Sequence, residues 1–393
     1  MAQFSIPHAQ FPIPNSPCPM PNSQFPCPMK RLLTTILLPI AVSWQAAFPG
    51  RAMAMVARIP NGQILSIQGE VQIRRFGGRQ FRATAGTPIY YGDRFLTAAG
   101  GQVVLQCNDL RIMPAGAEGN NVCPFVQETA ECNPEAYECP KRGNDLALME
   151  KIPYVISPRR TALLNSRPKL RWHPVAEASY YTATLFKNGT EEVWRQETTA
   201  TEINYPSNSP ALEPGVEYIL VVETDTEAFS LDAPTLPGGV GFRLLDEEKA
   251  EEIRAAKAEI ENRDLDETAK ALALAFLYSE NGLTVEAIAL LESLAASTTD
   301  SSPIHHQIGN LYWNYLSLFA EASQHYQQAA ALAETGRLEL LAEAKEKLGQ
   351  LDEERGNIDK ATEFLSAARE LYNSLGDWLR VRELDLKLNQ LKK

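Results

Sequence analysis

Three stretches near the C-terminus share one spacing of small and apolar residues: 287-AIALLESL-294, 322-ASQHYQQA-329 and 361-ATEFLSAA-368. Their first residues lie 35 and then 39 positions apart, and each stretch puts its small and apolar residues on one face of a helix. A repeat of this length is typical of stacked helix pairs, because one pair alone cannot bury its apolar face. The sequence therefore predicts a helical-repeat solenoid over residues 264–393.

A second stripe predicts the helix that comes before each of these stretches. Ile308, Leu311 and Tyr312 recur at helical spacing around Gly309, and the next copy contains Leu348 followed by a glycine. A glycine inside an apolar stripe is expected where two helices approach closely. Each repeat is therefore predicted to be a helix-turn-helix pair, and a last amphipathic helix is expected to close the array.

The pairs resemble tetratricopeptide repeats, which join a Leu-Gly-x-x-Tyr helix to an Ala-x3-Tyr/Phe-x2-Ala helix. The matching positions, which we expect to pack the repeats together, are Ala287, Leu291, Gly309, Ala322, Tyr326, Ala329, Gly349, Ala361, Leu365 and Ala368. The chain departs from the family in its uneven period and in the few small residues of its first repeat. The resemblance implies about three repeats and a concave groove that holds a peptide or another protein.

Two strand-rich regions precede the repeats, and residues 246–263 are expected to form a charged connector helix between them and the solenoid. Residues 57–144 alternate between apolar and polar side chains in short runs, for example at Gly69 to Arg74. The segments Gly69-Glu70-Val71, Gly92-Asp93-x3-Thr97 and Gly101 to Leu105 resemble the FecR-type periplasmic domain. That resemblance implies a small β fold and a location in the cell envelope.

Residues 153–244 are predicted to form a β-sandwich. Leu170 and Trp172 fall on one face of a strand, and a later Leu-x-Pro-Gly-x-x-Tyr ends at Tyr218. This pairing resembles fibronectin type III and related immunoglobulin-like sandwiches, in which the tyrosine hydroxyl bonds to nearby backbone. The predicted fold class is thus multidomain: a small β-roll and a β-sandwich, followed by an all-α solenoid.

The N-terminus carries the pattern of an export signal. Residues 1–28 are of low complexity and are not expected in the mature protein. From Met29, a basic start precedes the apolar run Leu32 to Val42, and a small-x-small site ends at Ala54, after which we expect cleavage. The signal peptide is therefore predicted at residues 29–54 and the protein in the periplasm or otherwise exported. The alternative is an anchor formed by an uncleaved N-terminal helix.

Four cysteines of the predicted mature chain fall close together, at Cys107, Cys123, Cys132 and Cys139. An even number of cysteines in an exported, loop-rich segment indicates two disulfides. Three pairings are open, and we favour Cys107 with Cys123 and Cys132 with Cys139 because both are short local closures. A zinc site is the alternative, although the segment lacks a C-x2-C pair.

The charge balance limits the partners that the protein can have. The formal net charge is −12, which argues against nucleic acid and against an anionic membrane surface. The mature chain contains no apolar run long enough for a confident membrane span.

No familiar catalytic motif occurs, and the histidines have no metal-ligand spacing with cysteines or carboxylates. We therefore predict no enzyme activity, no cofactor and no metal site. The expected function is that of a protein-binding or scaffolding protein with an unknown protein or peptide partner. The alternative is an envelope ligand or stress sensor that acts through the FecR-like domain.

Overall fold

Strands and helices occupy separate parts of the sequence. The computed structural model describes residues 60–75, 78–98, 100–116, 119–124, 151–232, 239–298, 301–333 and 337–392. Within them, β-strands lie between Pro60 and Leu244, and the long helices lie between Glu247 and Leu391. The predicted fold class is confirmed, because two β units precede an all-α helical array.

The first unit, which we call the β-roll, has seven strands among the residues that the structure describes. They are β1 (Pro60–Gln68), β2 (Val71–Arg74), β3 (Gln80–Arg82), β4 (Pro88–Tyr90), β5 (Arg94–Thr97), β6 (Gln102–Cys107) and β7 (Ile112–Pro114). One sheet has the order β4-β1-β6-β7 and the other the order β3-β2-β5. Strand β2 shows why the sheet forms, since Val71 and Ile73 are buried while Gln72 and Arg74 are exposed.

The second unit is a sandwich, with eight strands in the described ranges 151–232 and 239–244. They are β8 (Val155–Ser157), β9 (Thr161–Leu163), β10 (Lys169–Trp172), β11 (Tyr181–Lys187), β12 (Glu191–Thr198), β13 (Glu202–Asn204), β14 (Glu217–Thr224) and β15 (Phe242–Leu244). Its sheets have the orders β13-β10-β8 and β12-β11-β14-β15-β9. Trp172 and Tyr218 lie in the core between the sheets. The Tyr218 hydroxyl accepts a hydrogen bond from the Glu213 backbone N–H at 2.9 Å, as the sequence predicted for this tyrosine.

The helices follow as α1 (Glu247–Glu261), α2 (Glu267–Glu280), α3 (Thr284–Ser297), α4 (Ser302–Leu311), α5 (Phe319–Ala333), α6 (Leu338–Glu354), α7 (Ile358–Ser374) and α8 (Trp378–Leu391). Helix α1 begins at the N-cap Asp246, whose side chain accepts the Lys249 backbone N–H. Although most of its residues are charged, α1 is more than a solvated connector. Its Ala250, Ile253 and Ile260 are buried in the largest core of the chain.

Two glycines set the distance between paired helices. A Cβ atom at Gly309 in α4 would lie 2.7 Å from the Tyr326 ring of α5. A Cβ atom at Gly349 in α6 would lie 2.6 Å from Cγ of Leu365 in α7. Contacts this short require the facing side chain or its helix to shift before any side chain could replace either glycine. The predicted role of the two glycines, close approach of helices, is therefore what the structure shows.

The second repeat has an irregular turn that the sequence did not predict. Helix α4 ends at Leu311 and continues as a π-helical turn, Tyr312–Leu316. Ser317 then adopts a left-handed conformation with φ of 58°. The apolar stripe through Tyr312 and Tyr315 is thus helical, but it is wound more loosely than an α-helix after Leu311.

Candidate functional site

The residues predicted to pack the repeats are all buried, and among them only Leu291 also lines the cavity described below. Their exposed fractions are 2% or less for Ala287, Leu291, Ala322, Tyr326, Ala329, Ala361, Leu365 and Ala368. Gly309 and Gly349 are buried as well. These positions explain how the helices stack, so a binding site has to be sought elsewhere.

The even-numbered helices present one face of the array, and the β-roll packs against part of that face. Gln63 of β1 donates to the Leu272 carbonyl of α2 at 3.1 Å, and Gln106 of β6 donates to the Ala273 carbonyl at 3.3 Å. A hydrogen bond also runs from the helices to the β-roll, because Gln307 of α4 donates to the Gly86 carbonyl at 2.6 Å. The chain thus covers part of its own helical face.

An ionic contact extends this interface to α6 and α8. The Arg79 guanidinium lies 3.0 Å from the Glu343 carboxylate in α6 and 3.7 Å from Asp377 at the start of α8. Burial alone would raise the pKa of Glu343, but the neighbouring Arg79 and Arg75 outweigh it and lower that pKa to about 2. Both partners are therefore charged at neutral pH, and the pair holds the β-roll on the helices.

Beside this interface, the β-roll and the helices leave a cavity of about 560 Å³, which we call the composite cleft. Gln63 and Tyr90 line it from the β-roll. Residues of α2, α4, the π-helical turn, α6 and α8 line it from the helical array, together with Leu291 of α3. Its volume lies within the range of ligand-binding pockets. The even-numbered helices thus contribute both the surface that the β-roll covers and the site that stays open beside it.

One end of the composite cleft is charged. Arg380 of α8 lies 3.5 Å from the Glu346 carboxylate of α6, which also accepts the Tyr372 hydroxyl at 2.8 Å. Lys347 lies over the Trp313 ring, 4.9 Å from its centre. Burial lowers the pKa of the Lys347 ammonium.

The middle of the composite cleft is polar but uncharged. Gln307, Asn310 and Asn314 line it from α4 and the π-helical turn. His306 is 7% exposed, and its Nε2 atom has no hydrogen-bond partner among the residues that the structure describes. Burial lowers the pKa of His306 to about 4, so the imidazole is neutral at physiological pH. Because the Asn310 amide donates to its Nδ1 atom at 3.3 Å, the neutral imidazole carries its proton on Nε2 and can donate one further hydrogen bond from there.

The opposite side of the composite cleft, at α2, combines apolar surface with the exposed Glu280, which also lines the cleft. Phe276 of α2 is half-buried and lines it together with Pro60, Pro88 and Leu311. Phe276 belongs to none of the apolar core clusters among the described residues. A ligand could therefore contact the Phe276 ring without displacing it from an apolar core.

The sandwich holds the array at a different place, the end of the π-helical turn. Arg159 donates to the Leu316 carbonyl at 3.1 Å, and Arg160 donates to the Tyr315 carbonyl at 3.0 Å. Both arginines are 1% exposed. They satisfy carbonyls that the end of a helix leaves without intrahelical partners, and their charge suits the negative end of the helix dipole. Burial, and then Arg160, lower the pKa of Arg159 to about 10.

A buried carboxyl group lies in the same junction. Glu286 of α3 accepts the Leu164 backbone N–H at 3.0 Å, while its Oε2 atom has no partner among the described side chains and backbone groups. Burial raises the pKa of Glu286 to about 7. This carboxyl group therefore changes its charge near neutral pH.

The cysteine prediction can be followed for two of its four residues. Cys107 and Cys123 form a disulfide, which is the pairing that the sequence favoured. Both cysteines belong to the core of the β-roll. Cys132 and Cys139 lie outside the described residues, as do the predicted signal peptide and the cleavage site after Ala54.

The histidines do not assemble a metal centre with other ligands in the described part of the chain. His305 and His325 contact each other through their Nδ1 atoms at 3.1 Å, and His325 lies 4.0 Å from Glu292. Over the described ranges, no three His, Cys, Asp or Glu residues are grouped so that they could hold a metal ion. None of the helices described has the length and apolar character needed to cross a membrane.

Comparison with protein-family models and with curated proteins gives no match. Among solved structures, the chain is similar to BtubC (BKLC) from P. vanneervenii, with 17% identity over 37% of this chain and 72% of that chain, and a TM-score of 0.27. It is also similar to MamA MSR-1 C2, with 20% identity over 37% of this chain and 89% of that chain, and a TM-score of 0.22. Scores this low support no conclusion about the function of this chain.

Proposed function

We propose that the protein is an exported, non-catalytic binding protein that holds a segment of a partner protein in the composite cleft. The observation that carries the proposal is the position of this cleft, which crosses the open part of the even-numbered helices and is walled by the β-roll. A partner segment lying there would contact both the helical repeats and the first β unit. The site is therefore made by the assembled chain and by neither part alone.

The resemblance to tetratricopeptide repeats supports this proposal, because it implies a concave groove that holds a peptide or another protein. In this chain the β-roll covers part of that groove. The open remainder combines apolar, uncharged polar and charged groups, a variety that suits a polypeptide better than a uniform small molecule. The partner's identity is a matter for experiment.

An exported location is part of the proposal. The predicted signal peptide supports it, and the disulfide between Cys107 and Cys123 is consistent with an oxidising compartment. The FecR-type resemblance of the first β unit favours the bacterial envelope, most simply the periplasm. An uncleaved N-terminal anchor would put the same cleft on the same side of the membrane.

Affinity capture from an envelope extract tests the proposal, provided that it compares two matched surface variants of the full chain. Asn314→Arg adds bulk and charge at an exposed position that lines the composite cleft. Glu363→Arg makes a comparable change at an exposed position of α7 outside the cleft. We expect the unmodified chain and Glu363→Arg to retain the same protein and Asn314→Arg to lose it. Equal capture by all three would exclude the composite cleft as the site.

A second candidate is a sensor of envelope ligands or stress, and one observation favours it. Gln63 both donates to the α2 backbone and lines the composite cleft, so an occupant of the cleft would touch the contact that joins the β-roll to the helices. A sensor requires occupancy to change this interface. Hydrogen exchange of β1 and β4 with and without the captured protein measures the change, and unaltered exchange would favour the scaffold.

A further inference from the structure

Lys347 of α6 is a cation in the lining of the composite cleft that has no ion-pair partner among the residues that the structure describes. Its ammonium lies over the Trp313 ring, 4.9 Å from the ring centre. A contact with a ring face leaves the N–H donors of an ammonium able to bind an acceptor. Burial lowers the pKa of Lys347, as expected for a partly buried charge without a close carboxylate.

The sequence of α6 would ordinarily give Lys347 a partner on its own helix. Glu343 lies four residues before it, in the order that favours an ion pair between adjacent helical turns. In the structure, however, the Glu343 carboxylate is bound by Arg79 of the β-roll at 3.0 Å. The docking of the β-roll therefore takes the helical partner of Lys347 and leaves the lysine at the edge of the cleft.

The other charges of the cleft are the exposed Glu280 on α2 and the pair of Glu346 and Arg380, which lie 3.5 Å apart. Carboxylates thus outnumber cations in the lining, but the two on α6 already have arginine partners. A basic group would have to displace one of these arginines or pair with Glu280, and an exposed ion pair contributes little. An acidic group that reaches Lys347 gains an ion pair without breaking one.

From this arrangement we propose that the composite cleft selects a partner segment with an aspartate or glutamate side chain, whose carboxylate pairs with Lys347. The inference rests on the proposed function and adds the chemistry of the partner to it. The acidic side chain takes the place that Glu343 would have on an isolated helix. The cleft therefore recognises this side chain only while the β-roll is docked and holds Glu343.

Panning a display library of short random peptides against the full chain tests this inference. We expect the enriched sequences to share an aspartate or glutamate. An enriched peptide is then synthesised with an amidated C-terminus and compared by fluorescence anisotropy with a copy that carries asparagine or glutamine at that position. The neutral copy is expected to bind about tenfold more weakly, which corresponds to about 1.4 kcal/mol, and the difference should shrink at high salt.

Lys347→Gln and Lys345→Gln are the matched variants of the protein. Lys345 lies on the same helix over another ring, 5.9 Å from the centre of Phe364, and does not line the cleft. Lys347→Gln is expected to weaken binding of the acidic peptide about tenfold and to leave the neutral copy unaffected, because the two charges act as a pair. Lys345→Gln should leave both affinities unchanged. Thermal unfolding of each variant confirms that it is folded.

The outcomes separate this inference from the proposed function. Enrichment of neutral or basic peptides, or equal effects of the two lysine variants, would overturn the selection of an acidic side chain. Binding that requires a free C-terminus would assign the carboxylate to a chain end and overturn it as well. Segment binding in the cleft would still stand if Asn314→Trp, which fills the cleft without adding charge, abolishes binding. Peptides that bind Asn314→Trp as tightly as the unmodified chain, or no enrichment at all, would overturn both proposals.

Discussion

The Arg79 guanidinium in the β-roll donates a hydrogen bond of 3.0 Å to the Glu343 carboxylate of α6, across 264 residues of sequence. The two side chains are 4% and 11% exposed. At this depth, removing one charge leaves the other without its partner in a site that water hardly reaches. We therefore expect the docking of the β-roll on the repeats to depend strongly on this ion pair.

Arg79→Met is expected to lower the free energy of unfolding by about 3 kcal/mol, because Glu343 is then left charged and buried. The double variant Arg79→Met/Glu343→Gln should lose less free energy of unfolding than the two single variants lose together. The exposed pair Lys249 and Glu252 is the control, and Lys249→Met should cost less than about 1 kcal/mol. Urea unfolding gives the free energy of unfolding of all four variants. Additive losses in the double variant would show that the two residues are not coupled.

Gly349→Ala tests the close packing of α6 on α7. A Cβ atom there would lie 2.6 Å from Leu365. We expect a loss of about 1–3 kcal/mol from overpacking, although alanine is the better helix former by about 1 kcal/mol. In a Leu365→Ala background the space is open, and Gly349→Ala should become neutral or stabilising. A loss of the same size in both backgrounds would contradict the contact.

The disulfide is expected to stabilise the β-roll. It closes a loop with a sequence separation of 16 residues, for which the loss of chain entropy in the unfolded state corresponds to about 3 kcal/mol. Cys107→Ser/Cys123→Ser should be destabilised by about that amount. A reductant should bring the unmodified chain close to the same stability. A double variant as stable as the oxidised chain would exclude this role.

Glu286 is expected to make stability depend on pH near neutrality. Its pKa is raised from 4.5 to about 7 in the folded state, because burial disfavours the charged form. The folded state therefore binds the proton more tightly than the unfolded state, and the stability linked to this group is lost as pH rises through about 7. Glu286→Gln keeps a neutral side chain, so it should be more stable than the unmodified chain at pH 8 and similar to it at pH 4.

The control for that experiment is Glu251→Gln, at an exposed position of α1. Its thermal midpoint should follow that of the unmodified chain across the whole pH range. The informative quantity is the difference between Glu286→Gln and the unmodified chain at each pH, since other buried carboxyl groups contribute equally to both. A difference that stays constant from pH 4 to pH 8 would rule out titration of Glu286 in this range.

The order of the units and the stacking of the repeats could be predicted from the sequence because both follow from local spacing. Ala361 and Leu365 lie on one helix face whatever surrounds them, and Gly349 has to be small wherever two helices cross closely. The alternation of buried and exposed residues along β2 also depends only on residues that are close together in the sequence. These features depend on residues a few positions apart, so a single sequence contains the information.

The docking of the β-roll could not be predicted in this way. Arg79 follows a glycine turn, where an exposed arginine is ordinary, and its partner Glu343 lies in a helix rich in charge. One signal was available in the strands: Gln63 and Gln106 occupy buried positions, with exposed fractions of 4% and 0%. Buried glutamines need hydrogen-bond partners, and here the α2 backbone supplies them.

The composite cleft forms only when the β-roll is docked on the helices, so it could not be predicted from the sequence either. The sequence placed the binding groove on the repeats alone, whereas Gln63 and Tyr90 of the β-roll line the cleft together with the helices. A fragment containing only the repeats would lack this wall and would expose Leu272, which is buried in the full chain. Binding experiments therefore need the complete chain.

Photo-crosslinking tests the central claim, that partner binding occurs in the composite cleft, most directly. The photoreactive residue p-benzoylphenylalanine is introduced as Asn314→benzoylphenylalanine inside the cleft and as Glu363→benzoylphenylalanine on α7 outside it. After irradiation in an envelope extract, the account predicts that position 314 forms a covalent adduct with one protein, and that position 363 forms none. An adduct from position 363 with none from position 314 would contradict the account.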